Sequence, residues 1–491
     1  MTQLEKELQD VSNVAIAGHI HPDGDSVGSC IGLWQYLRDN YPQIKADIWL
    51  EQPDNKFSII EGYEELKQPD GQDRTYDLFI SVDCAALDRL GDALPYFQKA
   101  KRTFCVDHHV SNHGFADENV ILPDASSACE VLCSLMDPEK INKKGGKGVI
   151  LNSRILWFYS SVYRTIGGEK NLDNAKHAYE FLKNHCVDRE NGGVYWMMNY
   201  DGTVMDSMKH TYNQAFAIYA LSTYYLACKD KEALDLAFEL FNTVEEKFTD
   251  DVAYMEAFDK NWKLIENDAL SENGLMADKT MNTVLHLIEG YTVLLRASGD
   301  ERVKARLKFL LDITENKIFD SENNKLLVFF DRELNVIGDI HSYGHDIEAT
   351  WLLDRACDVM GDKDYIEKWK NINLRISNNI YNIAYENGSL NNERDKTEID
   401  KKRVWWVQAE TVVGFINAYQ HGGDKKFLEA AGKVWEWIRD VQIDKRKGSE
   451  WWAEVDYNGK PMLKFTMVNE WKCPYHNGRM CMEVMTRGID V

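Results

Sequence analysis

The chain has 491 residues, a length that suits two to four domains, or one large barrel with an appendage. With 44% hydrophobic and 28% charged residues it has the composition of an ordinary globular protein, which excludes wholesale disorder, collagen and coiled coil. Lys and Arg number 57 against 80 Asp and Glu, a net charge of −23 whose field repels phosphate backbones and anionic membranes, so nucleic acid is disfavoured as a bulk partner. The first ten residues are polar and acidic, and no run of about 18 apolar residues occurs, so neither a signal peptide nor a membrane span is expected. The ten cysteines form no C-x-x-C pair and several stand in apolar stretches, among them Cys228 and Cys481. Buried free thiols of a reducing cytoplasm are the expectation.

Up to about Asn142, short β-branched or apolar runs alternate with helical ones: Asn13 to Ala17, Ser26 to Tyr41, Ala46 to Leu50, Asp77 to Val82 and Thr103 to Val106. This predicts a doubly wound α/β sheet. The segment "GHIHPDGDSVGS" places His19, Asp23 and Asp25 directly after the first strand, and "SVDCAALDRLG" and "CVDHHVSN" put Asp83, Asp107, His108 and His109 at the ends of later strands. Ligands bind at such strand ends in open α/β sheets, and imidazoles with carboxylates and no thiolate suit Mn²⁺ or Mg²⁺. These three motifs resemble the first three of the DHH phosphoesterase family, over about residues 10 to 140. The resemblance implies a two-metal hydrolase of short oligonucleotides or cyclic dinucleotides, with His19, Asp23, Asp25, Asp83 and His108 as candidate ligands. The family's fourth motif, an acidic ligand followed by Thr-Gly, does not follow, nor does its glycine-rich substrate-binding domain. The expectation for residues 1–142 is therefore a partial DHH-like α/β domain with vestigial, weak affinity for Mn²⁺ or Mg²⁺. Ser126 to Met136 carries Ala128, Val131, Leu132, Leu135 and Met136 at helical spacing, and either covers this sheet or serves the region that follows.

Asn142 to Gly148 contains three glycines and no apolar residue, and reads as a joint. Beyond it strands almost vanish and eleven helical segments begin near 151, 171, 208, 231, 278, 301, 344, 363, 404, 425 and 474. They alternate in kind. Glu232 to Glu246 places Ala233, Leu234, Ala237, Leu240, Phe241 and Val244 on one face, whereas Thr211 to Cys228 is apolar nearly all round. Sheltered and half-exposed helices in alternation predict an inner and an outer ring, a mainly α (α/α)6 barrel over residues 143–491. Such a barrel needs twelve helices, and the missing one is the first outer helix.

The polar residues of the sheltered helices recur near their starts: Arg154, Tyr212, Asn282 with His286, His345 with Glu348, Gln408 with Glu410, and His476 with Arg479. Parallel inner helices would bring these side chains and the positive helix ends to one mouth. His345 and Glu348 stand at i and i+3, so the carboxylate is expected to hold the imidazole in one tautomer. An imidazole titrating near neutral pH suits removal and return of a proton beside a carbonyl, and His476 supplies a second. Trp405, Trp406 and Trp471 flank these positions, as sugar platforms or as core packing.

With "GDIHSYGHDIEATWLLDRA", "NNERDKTEIDKKRVWWVQAE" and "WKCPYHNGRMCMEV", the chain from about Gly148 onward resembles the cellobiose 2-epimerases of the N-acylglucosamine 2-epimerase superfamily. The resemblance implies reversible epimerisation at C2 of the reducing-end glucose of cellobiose, with lactose to epilactose as a related reaction and no cofactor for the epimerisation. It makes His345 and His476 the acid/base pair acting through a cis-enediolate, with Glu348 orienting His345. Arg154, Tyr212, Asn282 and His286 would bind the reacting sugar, and Trp406 and Trp471 would cradle the disaccharide. Three readings compete: a glycoside hydrolase on the same barrel, which wants a carboxylate pair flanking the scissile bond; a metal-dependent phosphodiesterase or oligoribonuclease in the N-terminal half; and an inactive carbohydrate-binding relic. The expectation is a cytoplasmic, monomeric isomerase acting on a small disaccharide.

Overall fold

Strands form where the β-branched runs predict them, and a computed structural model describes residues 2–137, 140, 146–266, 274–446, 449–463, 465, 467–469 and 471–488. The chain divides into two units, Met1–Lys143 and Lys144–Val491. The joint residues 142–145 lie outside the described residues.

In the first unit, helix α1 (Gln3–Glu7) precedes a parallel sheet of β1 (Asn13–Ala17), β2 (Lys45–Trp49), β3 (Leu66–Lys67), β4 (Leu78–Val82), β5 (Thr103–Asp107) and β6 (Glu118–Ile121), in the order β3-β2-β1-β4-β5-β6. Sequence periodicity misses β3, which is two residues long, and β6, which has no fully buried residue. Along β1, Val14 and Ile16 enter one apolar layer while Ala15 and Ala17 enter the other, as a strand covered on both faces requires. Helix α2 (Gly24–Asn40) links β1 to β2, and α3 (Leu94–Lys99) precedes β5. The order reverses between β1 and β4, so a crevice opens at their C-terminal ends. Helix α4 (Ala128–Leu135) buries Ala128, Val131, Leu132 and Leu135 in the layer that holds Val14 and Ile16. It covers its own sheet.

The second unit alternates inner helices α5 (Val149–Ile166), α7 (Thr211–Cys228), α9 (Met281–Ser298), α11 (Tyr343–Met360), α13 (Trp405–Gly422) and α15 (His476–Arg487) with outer helices α6 (Glu169–Phe181), α8 (Lys231–Thr243), α10 (Glu301–Ile313), α12 (Lys363–Ile383) and α14 (Lys425–Trp437). Each inner helix packs on the next, and α15 packs on both α13 and α5, so the ring closes with eleven helices among the described residues. In α7 every residue from Thr211 to Tyr224 is buried; α8 buries one face, with Leu236 in the place expected for the half-buried Leu234. Asp230, Asp300, Asp362 and Asp424 cap α8, α10, α12 and α14, each accepting a backbone N–H of the first turn, a contribution of about 1 kcal/mol apiece. Strands of two or three residues, such as Lys209–His210 and Arg403–Val404, lead straight into the inner helices and are too short to show a periodicity.

No outer helix precedes α5 in this unit among the described residues, and some apolar side chains beside that position are uncovered. On α5, Phe158 and Tyr159 are only half-buried, and on α15 Met485 is 60% exposed. Cys481 is exposed and Cys228 half-buried, contrary to expectation; all ten thiols are free. No helix among the described residues is long and apolar enough to cross a membrane.

Candidate functional site

The crevice of the parallel sheet gathers the three N-terminal motifs, because β1, β4 and β5 are neighbours and end on the same side. Asp83, at the end of β4, is 1% exposed and has a left-handed φ of 55°, uncommon outside glycine. Its Oδ2 lies 3.5 Å from His19 Nε2, which is 3.9 Å from Asp23 Oδ1. Its Oδ1 lies 3.6 Å from His108 Nε2 and 3.6 Å from His109 Nδ1. Asp25 stands 3.4 Å from His108 Nε2. All five expected ligands therefore meet, with Asp83 bridging two groups and His109 joining the second. Asp83 Oδ1 is buried without a hydrogen-bond donor, a carboxylate oxygen that fits a cation. Asp25, however, accepts the backbone N–H groups of Ala128 at 2.7 Å and Cys129 at 3.1 Å, which occupies much of its capacity. The neighbouring Asp83 carboxylate raises the pKa of His19.

In the barrel, the predicted residues occupy the first two turns of the six inner helices. Arg154 on α5 donates to the Trp471 carbonyl at 2.7 Å and to the Tyr212 hydroxyl at 3.0 Å. Tyr212 stands edge-on to His286, whose Nδ1 is 2.8 Å from Glu289. Asn282 Oδ1 is buried without a donor. His345 and His476 both lie against the Trp406 ring, with centroids 4.8 and 5.5 Å away. That ring is seated by Gly344, where a Cβ would come within 2.6 Å of Trp406 Cη2. Trp471 packs edge-on to Trp196 and Tyr212, and Trp405 edge-on to His476.

Two expectations fail. Glu348 does not orient His345: its carboxylate is bound by Arg479, and His345 Nδ1 pairs with Ser342 Oγ at 2.7 Å. The spacing is right, but a guanidinium outcompetes a neutral imidazole for a carboxylate. The same i, i+3 pattern does pair His286 with Glu289, a residue that this spacing alone points to. Gln408 spans the backbone N–H and C=O of Leu390, at 2.9 and 2.8 Å, and is a strut outside the site. The orienting carboxylate is Glu410, whose Oε1 is 2.8 Å from His476 Nδ1 and accepts from Arg479 at 2.7 Å, while Oε2 accepts from Trp351 Nε1 at 3.0 Å. Arg479 and the Tyr475 hydroxyl also donate to Glu289. Glu348, Glu410 and His476 have the spacing of a metal trio, but Arg479 donates to both carboxylates and already supplies the cation.

Burial holds His345 down at about 3 and His476 well below its ordinary value, the latter reinforced by Arg479 and Arg154, so both imidazoles are neutral near pH 7. Burial, followed by the charge of Glu410, pushes Glu348 up to about 8, and burial raises Glu410 too. Burial would also raise Glu289, but Arg479 and His286 outweigh it and hold that group at about 2. One guanidinium faces three carboxylates, so the charge of Glu410 disfavours ionisation of Glu348 beside it.

The N-acylglucosamine 2-epimerase (GlcNAc 2-epimerase) family matches residues 133–476, and the N-terminal domain of the DHH family matches residues 13–156. A cellobiose 2-epimerase of Ruminococcus albus is 62% identical over 352 residues, which is 72% of this chain and 90% of that protein. A crystal structure described as a sugar epimerase from a ruminal bacterium superposes with a TM-score of 0.71 at 62% identity, covering 71% of this chain and 90% of that one. For the sheet, the bifunctional oligoribonuclease and PAP phosphatase NrnA of Bacillus subtilis is 26% identical over 136 residues, 27% of this chain and 41% of that protein. Since the family match runs from residue 133, before α5, to His476, and a relative 62% identical is covered over 90% of its length, the chain belongs to the N-acylglucosamine 2-epimerase family.

Proposed function

We propose that the barrel catalyses reversible epimerisation at C2 of the reducing-end glucose of cellobiose, giving 4-O-β-D-glucopyranosyl-D-mannose, and likewise converts lactose to epilactose. The observation that carries this reading is the pair of neutral imidazoles, His345 and His476, on one tryptophan ring. With Nδ1 of His476 turned to Glu410, its Nε2 lone pair is free to take the C2 proton of the ring-opened sugar. The C–H electrons move toward the C1 carbonyl, forming a cis-enediolate, and Glu410 stabilises the imidazolium. A Ser342 hydroxyl donating to His345 Nδ1 leaves an Nε2–H that returns a proton to the opposite face of C2. His476 then loses the proton it took to water and His345 regains one from water, which restores both neutral imidazoles; with no net change of oxidation state, the step draws on no redox cofactor. Arg154, Tyr212, Asn282 and His286 bind the reacting sugar, and Trp406 and Trp471 cradle the disaccharide. A hydrolase is disfavoured, because Glu348 and Glu410 are at most 1% exposed and bound to Arg479, not free to flank a glycosidic bond. Proton NMR of cellobiose and of lactose in D₂O tests the reading. Epimers carrying deuterium at C2 are expected; release of monosaccharide, or epimer without deuterium, would refute it.

A second reading concerns the sheet, where Asp83 turns Oδ2 to His19 and its orphaned Oδ1 to His108, an arrangement that favours a divalent cation. We infer that His19, Asp23 and Asp83 hold Mn²⁺ or Mg²⁺ weakly, with Asp25 and His108 offering part of a second position. A bound ion supplies Lewis acidity to water, but hydrolysis of this class needs two ions about 3.5 to 4 Å apart. With Asp25 engaged by α4, binding without phosphodiester turnover is the outcome this donor set supports.

A further inference from the structure

At the opposite end of the barrel, where the inner helices finish, lies a cavity of about 390 Å³. Five of the six inner helices line it, and its charged walls are Arg164, Arg296, Arg355 and Arg479 against Glu289 and Glu483. The carboxylates are already taken: Glu289 by Arg479, Tyr475 and His286, and Glu483 by Arg355 and Arg487. Arg164 and Arg296 have no hydrogen-bond or ion-pair partner among the described residues. Arg479 is 1% exposed, and its Nε–H, buried at the inner end, has no acceptor. Arg164 and Arg296 are exposed at the open end of the cavity, where the charges of Arg355 and Arg164 act on Arg296. Two cations without a counter-ion, Arg164 and Arg296, on one cavity stand out in a chain of net charge −23.

We propose that this cavity binds a small oxyanion of the phosphate class, free or as a phosphate ester, clamped by Arg164 and Arg296, with the unpartnered Nε–H of Arg479 at its inner end. Planar guanidinium groups match tetrahedral oxyanions by paired N–H donors, and the aromatic walls of Trp157 and Tyr219 leave room for an attached sugar-sized group. Arg479 also holds Glu348 and Glu410, so the anion sits one residue away from the carboxylates of the other mouth. The inference rests on the cavity alone and stands whatever reaction the barrel performs.

A cation in the last turn of a helix also offsets the helix dipole, and Arg164 and Arg296 occupy such turns. Phosphate dependence separates the two roles. Titration calorimetry of the full chain in chloride buffer, with inorganic phosphate and separately with glucose 6-phosphate, is expected to show saturable binding. The double variant Arg164→Gln/Arg296→Gln is expected to weaken it at least tenfold, with an unchanged circular dichroism spectrum. Tighter binding of the ester assigns the site to a phosphate ester, and equal affinity to the free anion. No saturable binding of either compound, or equal binding by the double variant, would overturn the proposal. So would a variant that lowers the melting midpoint in chloride while phosphate shifts neither protein.

Discussion

Replacing Glu410 with glutamine isolates the part played by one buried carboxylate. Its Oε1 serves both His476 Nδ1 and Arg479 Nη2, and its Oε2 serves Trp351 Nε1. Glutamine keeps the shape but has one acceptor oxygen and one NH₂, so in either orientation at least one buried donor faces another donor. That mismatch costs about 1 to 3 kcal/mol. The larger effect is on rate, because the imidazolium at His476 forms only as the proton is taken, and the carboxylate stabilises the transition state more than bound sugar. About 3 kcal/mol there is roughly a hundredfold in kcat, with KM changed only a few-fold. The assay is steady-state epimer formation followed by NMR. A second readout uses Glu348, whose folded-state pKa of about 8 exceeds its ordinary 4.5. A raised carboxyl pKa adds stability fully present below about pH 4.5 and lost as pH rises through about 8. Removing the Glu410 charge lowers the Glu348 pKa, so the variant's melting midpoint should fall less over that window than the parent's. A kcat within threefold of the parent, or a loss confined to KM, would refute the reasoning.

Either His345→Asn or His476→Asn should lower kcat by at least about a hundredfold and abolish deuterium incorporation at C2; full activity in both variants would remove these residues from the mechanism. Gly344→Ala should displace the Trp406 ring, raising KM for cellobiose and destabilising the barrel by about 1 to 3 kcal/mol, and an unchanged KM and melting midpoint would show that the ring is seated otherwise. Calorimetry with Mn²⁺ should show weak uptake that Asp83→Ala abolishes, while the epimerase reaction is indifferent to EDTA; metal-dependent cleavage of a dinucleotide, lost in that variant, would establish turnover in the sheet.

The elements that the sequence reveals are those whose burial imposes a period. β1 and α7 are legible because their faces are sheltered by the fold, and the helix starts follow from Asp caps and apolar spacing. Positions at the inner helix starts were legible too, since a polar residue in an otherwise sheltered helix has few reasons to be there. Partners were not. Glu348 and Glu410 look alike in sequence, one beside His345 and the other distant from His476, yet the distant carboxylate orients its histidine and the adjacent one does not. Which carboxylate a histidine keeps depends on where Arg479 reaches, and that is settled by the ring of helices and not by spacing along any one of them.

The same charges bear on how the barrel closes. Arg479 on α15 reaches Glu289 on α9, Glu348 on α11 and Glu410 on α13, and Arg355 on α11 reaches Glu483 on α15. Helix α15 therefore meets three other inner helices through ions in the interior of the ring. Desolvation offsets much of the attraction in such a cluster, so it is weak evidence for stability. What it does supply is register: apolar contacts tolerate a slip of α15, whereas one guanidinium between three carboxylates does not, and that register sets His476 against Trp406. Closure and catalysis thus rest on the same atoms. A variant in this cluster that loses activity has then to be read by its division between kcat and KM and by its melting midpoint, because loss of activity alone does not tell a misplaced α15 from a missing proton acceptor.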